Sequence, residues 1–528
     1  MLPRRRSTSN RGSWTGKWRC SGSDAPPRAR GTAFPRRRPD GIETAGDSEN
    51  QGDRYEPRRA AALYAAFNRH RGRIRTMTTS TLSTASVNVS ALIERQKLGG
   101  FALGLIAWCF LIVLIDGYDQ VAAAFAAPAL IHAWHTNAAG FGRVFGVGLF
   151  GVLIGSLLLG FSGDRFGRRP TIICGTLWFG ILTILCGYAT SLEQLTVLRF
   201  LAGIGMGGVV PNTVALVSEY APKARRATWI TLMFSGFSIG ASGGGAVASW
   251  LLPRFGWPVL FELGGAAAVV VALASLALLP ESVRFLIVSG RGARRIARIA
   301  KRLGGVDSDA VRYVVDDEVR LRVRPAALFQ NDLAYVTPLL WALFVLNSLA
   351  LHFLQNWLPI LFGMGTLEPA HAAQAAMMFP AGGTVGALML SRWVDRYGIG
   401  VILLLAVIGC PVAASLGMPM PVAWLFVAVF VSGACVIGSQ FALYAVSGMV
   451  YPTALRSTGV GSAIGIGKFG SILGSVLGGI LLAMHLPVAK LFVDLASVFV
   501  FIALLAIWLG RNRRVSERQA AVGQTGAS

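Results

Sequence analysis

"GDRFGRRP" (163–170) and "VDRYGIG" (394–400) share Asp-Arg-aromatic-Gly, and their aspartates, Asp164 and Asp395, define an offset along the chain. The same offset relates Tyr220 to Tyr451, Arg225 to Arg456, Gly151 to Gly382 and Gly155 to Gly386. One coincidence would be weak evidence. Several at a single offset mark a duplicated unit.

Composition says what the unit is made of. The chain has 528 residues, of which 54% are hydrophobic and only 14% charged, with a mean hydropathy of +0.57. That balance points to a membrane protein. A bilayer core of about 30 Å takes roughly 20 apolar residues per helix. Twelve such stretches follow residue 98: 101–131, 140–161, 170–189, 193–216, 227–252, 258–279, 335–362, 370–391, 399–418, 422–447, 458–484 and 488–510. Six helices per copy is an even number, so the two copies share one orientation and can be related by an axis along the membrane normal. The expected fold is therefore an all-α integral membrane protein, twelve transmembrane helices in two six-helix parallel-repeat halves. The expected divisions are an Arg-rich tail (1–76), a lead-in (77–100), a first half (101–279), a linker (280–333), a second half (334–510) and a C-terminal tail (511–528).

The formal charge of +24 has two sources. Residues 1–76 contribute +11, through a Ser-, Gly- and Pro-rich stretch with no apolar period. Such a stretch cannot bury a core, and it is not a secretory signal. The texture changes at Met77, where the chain proper is expected to start; the rival reading of the tail is a basic arm against anionic lipid or nucleic acid. In the membrane part the basic residues alternate. Connections 162–170, 217–226, 391–398 and 449–457 carry nine, whereas the other side has only Arg143, Arg254 and Lys490. The positive-inside rule makes the first set cytoplasmic, with both termini on that side of the cytoplasmic (inner) membrane. Nucleic-acid binding by the membrane body is not expected. "GRGARRIARIAKRLG" in the linker reads as an amphipathic surface helix. The six cysteines lack metal or redox spacing, and no nucleophile–base pair or nucleotide loop appears, so neither a metal site nor an enzyme is expected.

Against this background "LIVLIDGYDQVAAAF" (111–125) is anomalous. Each ionised Asp at a helix centre costs about 2.5–3.5 kcal/mol on insertion scales. Asp116 and Asp119 are spaced i, i+3 and share roughly one helix face. Two carboxylates so close in a poorly solvated place resist carrying two charges at once, which suits a site that loads and releases a proton. Gly117 between them can loosen the helix. Arg199, inside the fourth apolar stretch, is costly for the same reason and requires a cavity or a partner.

"GFSGDRFGRRP" (160–170) resembles the Gly-x3-Asp-Arg-x-Gly-Arg-Arg signature of the major facilitator superfamily. "DGYDQ" (116–120), "LRFLAGIGMGGVVPNTVALVSEYAP" (198–222), "LPESVRFL" (279–286) and "NWLP" (356–359) narrow the likeness. Together they are similar to the aromatic acid:proton symporter branch, the 4-hydroxybenzoate/protocatechuate type, over essentially all of 88–510. The resemblance implies a proton-coupled carrier importing an aromatic carboxylate by alternating access, monomeric, with protons as the coupling ion and no other cofactor. It implies proton coupling by Asp116, Asp119 and Arg199. It implies that basic residues after helix 10 and in helix 11, here Arg456 and Lys468, take part in transport. Lysine at 468 keeps the charge of the family's usual arginine but loses its bidentate fork. It also implies a gating loop that latches the halves in one conformation, here Gly160, Gly163, Asp164, Arg165, Gly167, Arg168 and Arg169, with Glu219, Arg225, Asp395, Arg396 and Arg456 beside or opposite it. Gly163 and Gly167 are expected to permit a tight turn.

Lys468 or Arg199 is expected to meet the substrate carboxylate. Asn212, His352, Asn356, Gln440 and Tyr444 are polar residues within apolar stretches that could line a cavity or hydrogen-bond between helices. The glycine ladders Gly236/Gly240/Gly244 and Gly470/Gly474/Gly478 are expected to allow close helix crossing. The alternatives are a proton-coupled exporter or a sugar-acid porter on the same fold, and, from another class, a membrane sensor of the same ligand.

Overall fold

A computed structural model describes residues 86–96, 99–290, 293–303, 312–314, 325–330, 333–364, 368–451 and 455–525. The tail 1–76 lies outside them. In hydrocarbon every backbone N–H and C=O must be paired internally, so long apolar runs fold as helices. Among the described residues these are α1 (Gly100–Ala133), α2 (Phe141–Phe166), α3 (Arg168–Cys186), α4 (Leu192–Tyr220), α5 (Arg226–Phe255), α6 (Pro258–Leu278), α7 (Leu333–Gly363), α8 (Pro369–Tyr397), α9 (Ile399–Ser415), α10 (Val422–Val450), α11 (Arg456–Ala483) and α12 (Val488–Thr525). All but α9 are long and apolar enough to cross a membrane; α9 is apolar but only 17 residues long. The linker sequence folds in part as a basic helix, Ala293–Arg302, and a short parallel pair of strands, Ser86–Asn88 with Arg312–Val314, ties lead-in to linker.

Two turn expectations need correction. Gly163 lies inside α2, and the break falls only at Gly167, whose φ of 109° suits glycine. Likewise "VDRY" is the last turn of α8, which ends at Gly398 with φ 52°.

The duplication is visible in the packing. α1 packs on α5, α2 on α4 and α3 on α6; in the second half α7 packs on α11, α8 on α10 and α9 on α12. The glycines at the crossings explain the closeness. A Cβ on Gly155 would fall 2.0 Å from the Ile204 carbonyl oxygen, and one on Gly382 1.9 Å from that of Phe430. Only glycine fits there. The ladder glycines Gly240 and Gly470 press in the same way on the carbonyls of Leu114 and Val345.

Among the described residues the halves pack through α5 on α8 and α2 on α11, and they share an apolar core at one end. A single apolar core there joins Phe125, Phe141 and Phe145 of the first half to Phe353, Trp357 and Phe379 of the second. Phe145 and Trp357 meet edge to face at 5.7 Å, and Gly142 of α2 lies against Gly479 of α11. Toward the end bearing the Gly167 turn, each half has its own core, around Ile106, Met206 and Leu216 in one and Leu340, Leu405 and Leu443 in the other. Here α2 and α11 have parted: Gly160, Gly461 and Gly465 have nothing within 4 Å of an added Cβ. The bundle is sealed at one end and split at the turn end.

Candidate functional site

The two aspartates of α1 have different surroundings. Asp119 is fully buried and fully partnered. Arg199 of α4 donates from one terminal nitrogen to Asp119 Oδ2 at 3.0 Å and from the other to the Asp119 carbonyl at 3.0 Å. Thr183 of α3 donates its hydroxyl to Asp119 Oδ1 at 2.6 Å. A buried charge is tolerable when it is paired and its remaining lone pairs are satisfied, and this one meets both conditions. The pair lies within the first half.

Asp116, one turn earlier, is equally buried, but its Oδ1 accepts no hydrogen bond. The cations that bear on it are Lys468 of α11, across the junction between the halves, and Arg199. Lys468 is half-buried, and Asp116 is the acid that bears on it. Behind Lys468 the second half presents an uncharged polar layer. Asn347 of α7 donates to Gln440 Oε1 at 2.7 Å and to the Val436 carbonyl at 3.2 Å, with its own Oδ1 unpartnered. Tyr444, partly exposed, lies between the rings of Phe344 (5.7 Å) and Phe441 (6.1 Å). A small cavity of about 30 Å³ opens between α1, α2, α4 and α7, and Gln120, Phe145, Arg199, Met206, His352 and Asn356 line it.

At the turn end, Arg168 ties three elements together. It pairs with Asp164 one turn before it, approaches Glu219 at 3.6 Å, and donates to Asn212 Oδ1 at 3.1 Å. Glu219 in turn accepts from the Ser282 hydroxyl. Glu281 accepts from the backbone N–H of Arg169 at 3.1 Å and of Ser282 at 2.9 Å, so it caps the start of α3. A Cβ on Gly163 would meet Asn212 Oδ1 at 1.7 Å, which is why this helical position is glycine.

The profile of the Major Facilitator Superfamily matches residues 109–463. A gallate transporter of Pseudomonas putida is 34% identical over 434 residues, 82% of this chain and 96% of that protein. The 4-hydroxybenzoate transporter PcaK of the same organism is 36% identical over 407 residues, 76% of this chain and 90% of that protein. The chain belongs to the Major Facilitator Superfamily. In fold it is similar to the xylose transporter XylE from E. coli in a partially occluded inward-open conformation, with TM-score 0.61 and 16% identity, over 77% of this chain and 98% of that one. These are transport proteins, not enzymes.

On this facilitator frame the expected residues divide into groups. Asp119 and Arg199 are joined, and Arg199 also lines the cavity with His352 and Asn356. Asp116 and Lys468 lie across the junction from each other, with Gln440 and Tyr444 in the polar layer of the second half. Of the two roles open to Asn212, the structure gives the interhelical one: it pins α4 to α2 by donating to the Leu159 carbonyl at 3.0 Å, and it donates to the Gly208 carbonyl of its own helix at 2.7 Å. Gly163, Asp164, Gly167, Arg168, Arg169 and Glu219 belong to the turn network. Arg165, Arg225, Arg396 and Arg456 are exposed, Arg165 and Arg396 against the rings of Phe166 and Tyr397. The side chain of Asp395 lies outside the described ones. Sequence reading missed Thr183, Gln120, Asn347, Glu281 and Ser282. Asn347 was findable, because its distance from Asp116 along the chain is that of Asp395 from Asp164.

Proposed function

We propose that this protein imports an aromatic carboxylate together with protons across the cytoplasmic membrane, as a monomer and with no cofactor other than the proton. The observation that carries the reading is the charge balance at the junction. Asp119 and Arg199 are paired directly, whereas Asp116 and Lys468 influence each other across the junction without an ion pair, so that their formal charges balance. If a substrate carboxylate takes Lys468 from Asp116, the buried site gains one negative charge, which is costly in low dielectric. A proton taken up by Asp116 removes that charge. Substrate and proton then enter as a neutral set and leave as one. The relatives named above, which transport gallate and 4-hydroxybenzoate, support an aromatic acid as that carboxylate.

The basic residues around the Gly167 turn support a cytoplasmic position for that end, and an even number of spans would bring both termini to the same side. The split at the turn end then makes this the inward-open state, and the sealed core around Phe145 and Trp357 the closed outer gate. Return to the outward-open state requires the turn ends to close, and the Asp164–Arg168–Glu219 network is the piece positioned to bias that step. The test is uptake of labelled 4-hydroxybenzoate into vesicles of purified protein with an imposed proton gradient, acid outside. Accumulation that collapses when a protonophore is added is the expected result. Binding without accumulation would replace the carrier reading by that of a ligand sensor.

A further inference from the structure

We infer that His352 and Asn356 form a pair of hydrogen-bond acceptors that reads a ring hydroxyl, so that the carrier selects hydroxylated aromatic acids over unsubstituted benzoate. This rests on the carrier reading above and goes beyond it, because carboxylate, ring and proton are handled by other groups. His352 Nδ1 lies 3.0 Å from the Ser348 carbonyl, one turn earlier on α7. A carbonyl oxygen can only accept, so Nδ1 bears a ring proton, and in the neutral imidazole this leaves Nε2 with a lone pair. Nε2 makes no hydrogen bond among the described residues, and the ring lines the cavity. Asn356, one further turn along the same face, donates its amide to Ser475 Oγ at 2.8 Å. That bond fixes the amide orientation and leaves Oδ1 as the acceptor. Asn356 lines the same cavity.

Two acceptors one helical turn apart cannot welcome a carboxylate, which has no proton to give. They match an O–H. The cations come from other helices: Arg199 lines the same cavity from the first half, and Lys468 of α11 is near enough to bear on His352. The ring itself is met by apolar groups such as Phe145 and Met206. A site built this way penalises an analogue that lacks the hydroxyl, because its acceptors stay unpaired when water is displaced.

The experiment measures half-saturating concentrations for uptake of benzoate and of 4-hydroxybenzoate in proteoliposomes, with wild type, His352→Phe, Asn356→Leu and His352→Gln. Wild type should favour the hydroxylated acid by about tenfold or more, the effect of leaving a buried acceptor unpaired. His352→Phe and Asn356→Leu should each shrink that ratio severalfold. His352→Gln, which offers an amide oxygen in place of Nε2, should restore part of it. A variant that merely loosens the helix would raise both concentrations together and leave the ratio unmoved, and that result overturns the assignment. A wild type with no preference overturns it as well. A wild type that accumulates neither acid defeats the underlying substrate reading instead, and is told apart without any variant.

Discussion

The two halves carry the same fold and the same packing scheme, yet nearly all of the buried charge is in the first. At the repeat spacing, Asp116 corresponds to Asn347, Asp119 to Ala350 and Arg199 to Phe430. The turn shows the same asymmetry, since Arg168 and Glu219 correspond to Ile399 and Val450. In exchange, the second half holds Lys468 where the first has Phe237. The two copies thus share a frame and differ in charge, which leaves a junction with one acid on the first half and one cation on the second. Such a junction responds to an anion and a proton. A symmetric pair of fully charged halves would lock its charges internally, as Asp119 and Arg199 do.

The sharpest way to break the comparison is to give the first half the residues of the second. Asp119→Ala or Arg199→Phe alone strands a buried charge, and each should destabilise the protein by about 3–5 kcal/mol. Thermal unfolding in detergent and abundance in the membrane would both register that loss. The double variant carries the combination found at Ala350 and Phe430, and should recover most of the stability without transport. A double variant no more stable than the singles would show that the two residues are not energetically one unit.

Lys468 comes next. Lys468→Gln should leave a stable protein with uptake reduced roughly 10- to 100-fold, the loss of a charged hydrogen bond to a carboxylate. Lys468→Arg should keep a substantial part of the activity. Direct binding by calorimetry separates the two: normal affinity in Lys468→Gln would remove this lysine from the site. Asp116→Asn copies Asn347 and should abolish accumulation against a gradient while exchange of labelled for unlabelled substrate persists. Gradient-driven accumulation equal to wild type in this variant would end the neutral-set argument.

The frame of this molecule was legible in its sequence for a physical reason. Apolar runs of about 20 residues have few alternatives in a bilayer. A repeat at one constant offset is a pattern in one dimension, visible before any helix is placed. Asp116, Asp119 and Arg199 stood out because charge in such a run is expensive. Their different fates were not legible, since partnering depends on which helices cross and at what level. Thr183 is an unremarkable threonine until α3 is placed beside α1. Asn212 illustrates the converse. An amide in an apolar helix has two outlets, a cavity or a neighbouring backbone, and only the closeness of Gly163 decides for the backbone. Glu281 was passed over because its work is done on backbone N–H groups, and these leave no trace in composition.

The smallest expected effect concerns the turns, and it sharpens the comparison best because both copies keep the aspartate. Asp164 is more than half exposed, and its partner Arg168 is mostly covered. An exposed ion pair contributes only about 0.2–1 kcal/mol, so Asp164→Asn should shift the balance between conformations by no more than about fivefold. Arg168 also keeps Asn212 and Glu219 when Asp164 is gone, which limits the damage further. Asp395→Asn should do less still, below about twofold, because Ile399 stands where an arginine would answer the acid. Since Asp164 is not among the residues that line the cavity, its change should appear in the transport rate while equilibrium binding of the aromatic acid stays near wild type. Rates and binding measured side by side in the two variants decide the point. If Asp395→Asn slows transport as much as Asp164→Asn, the second turn has a partner of its own and the asymmetry between the halves stops at the membrane interior.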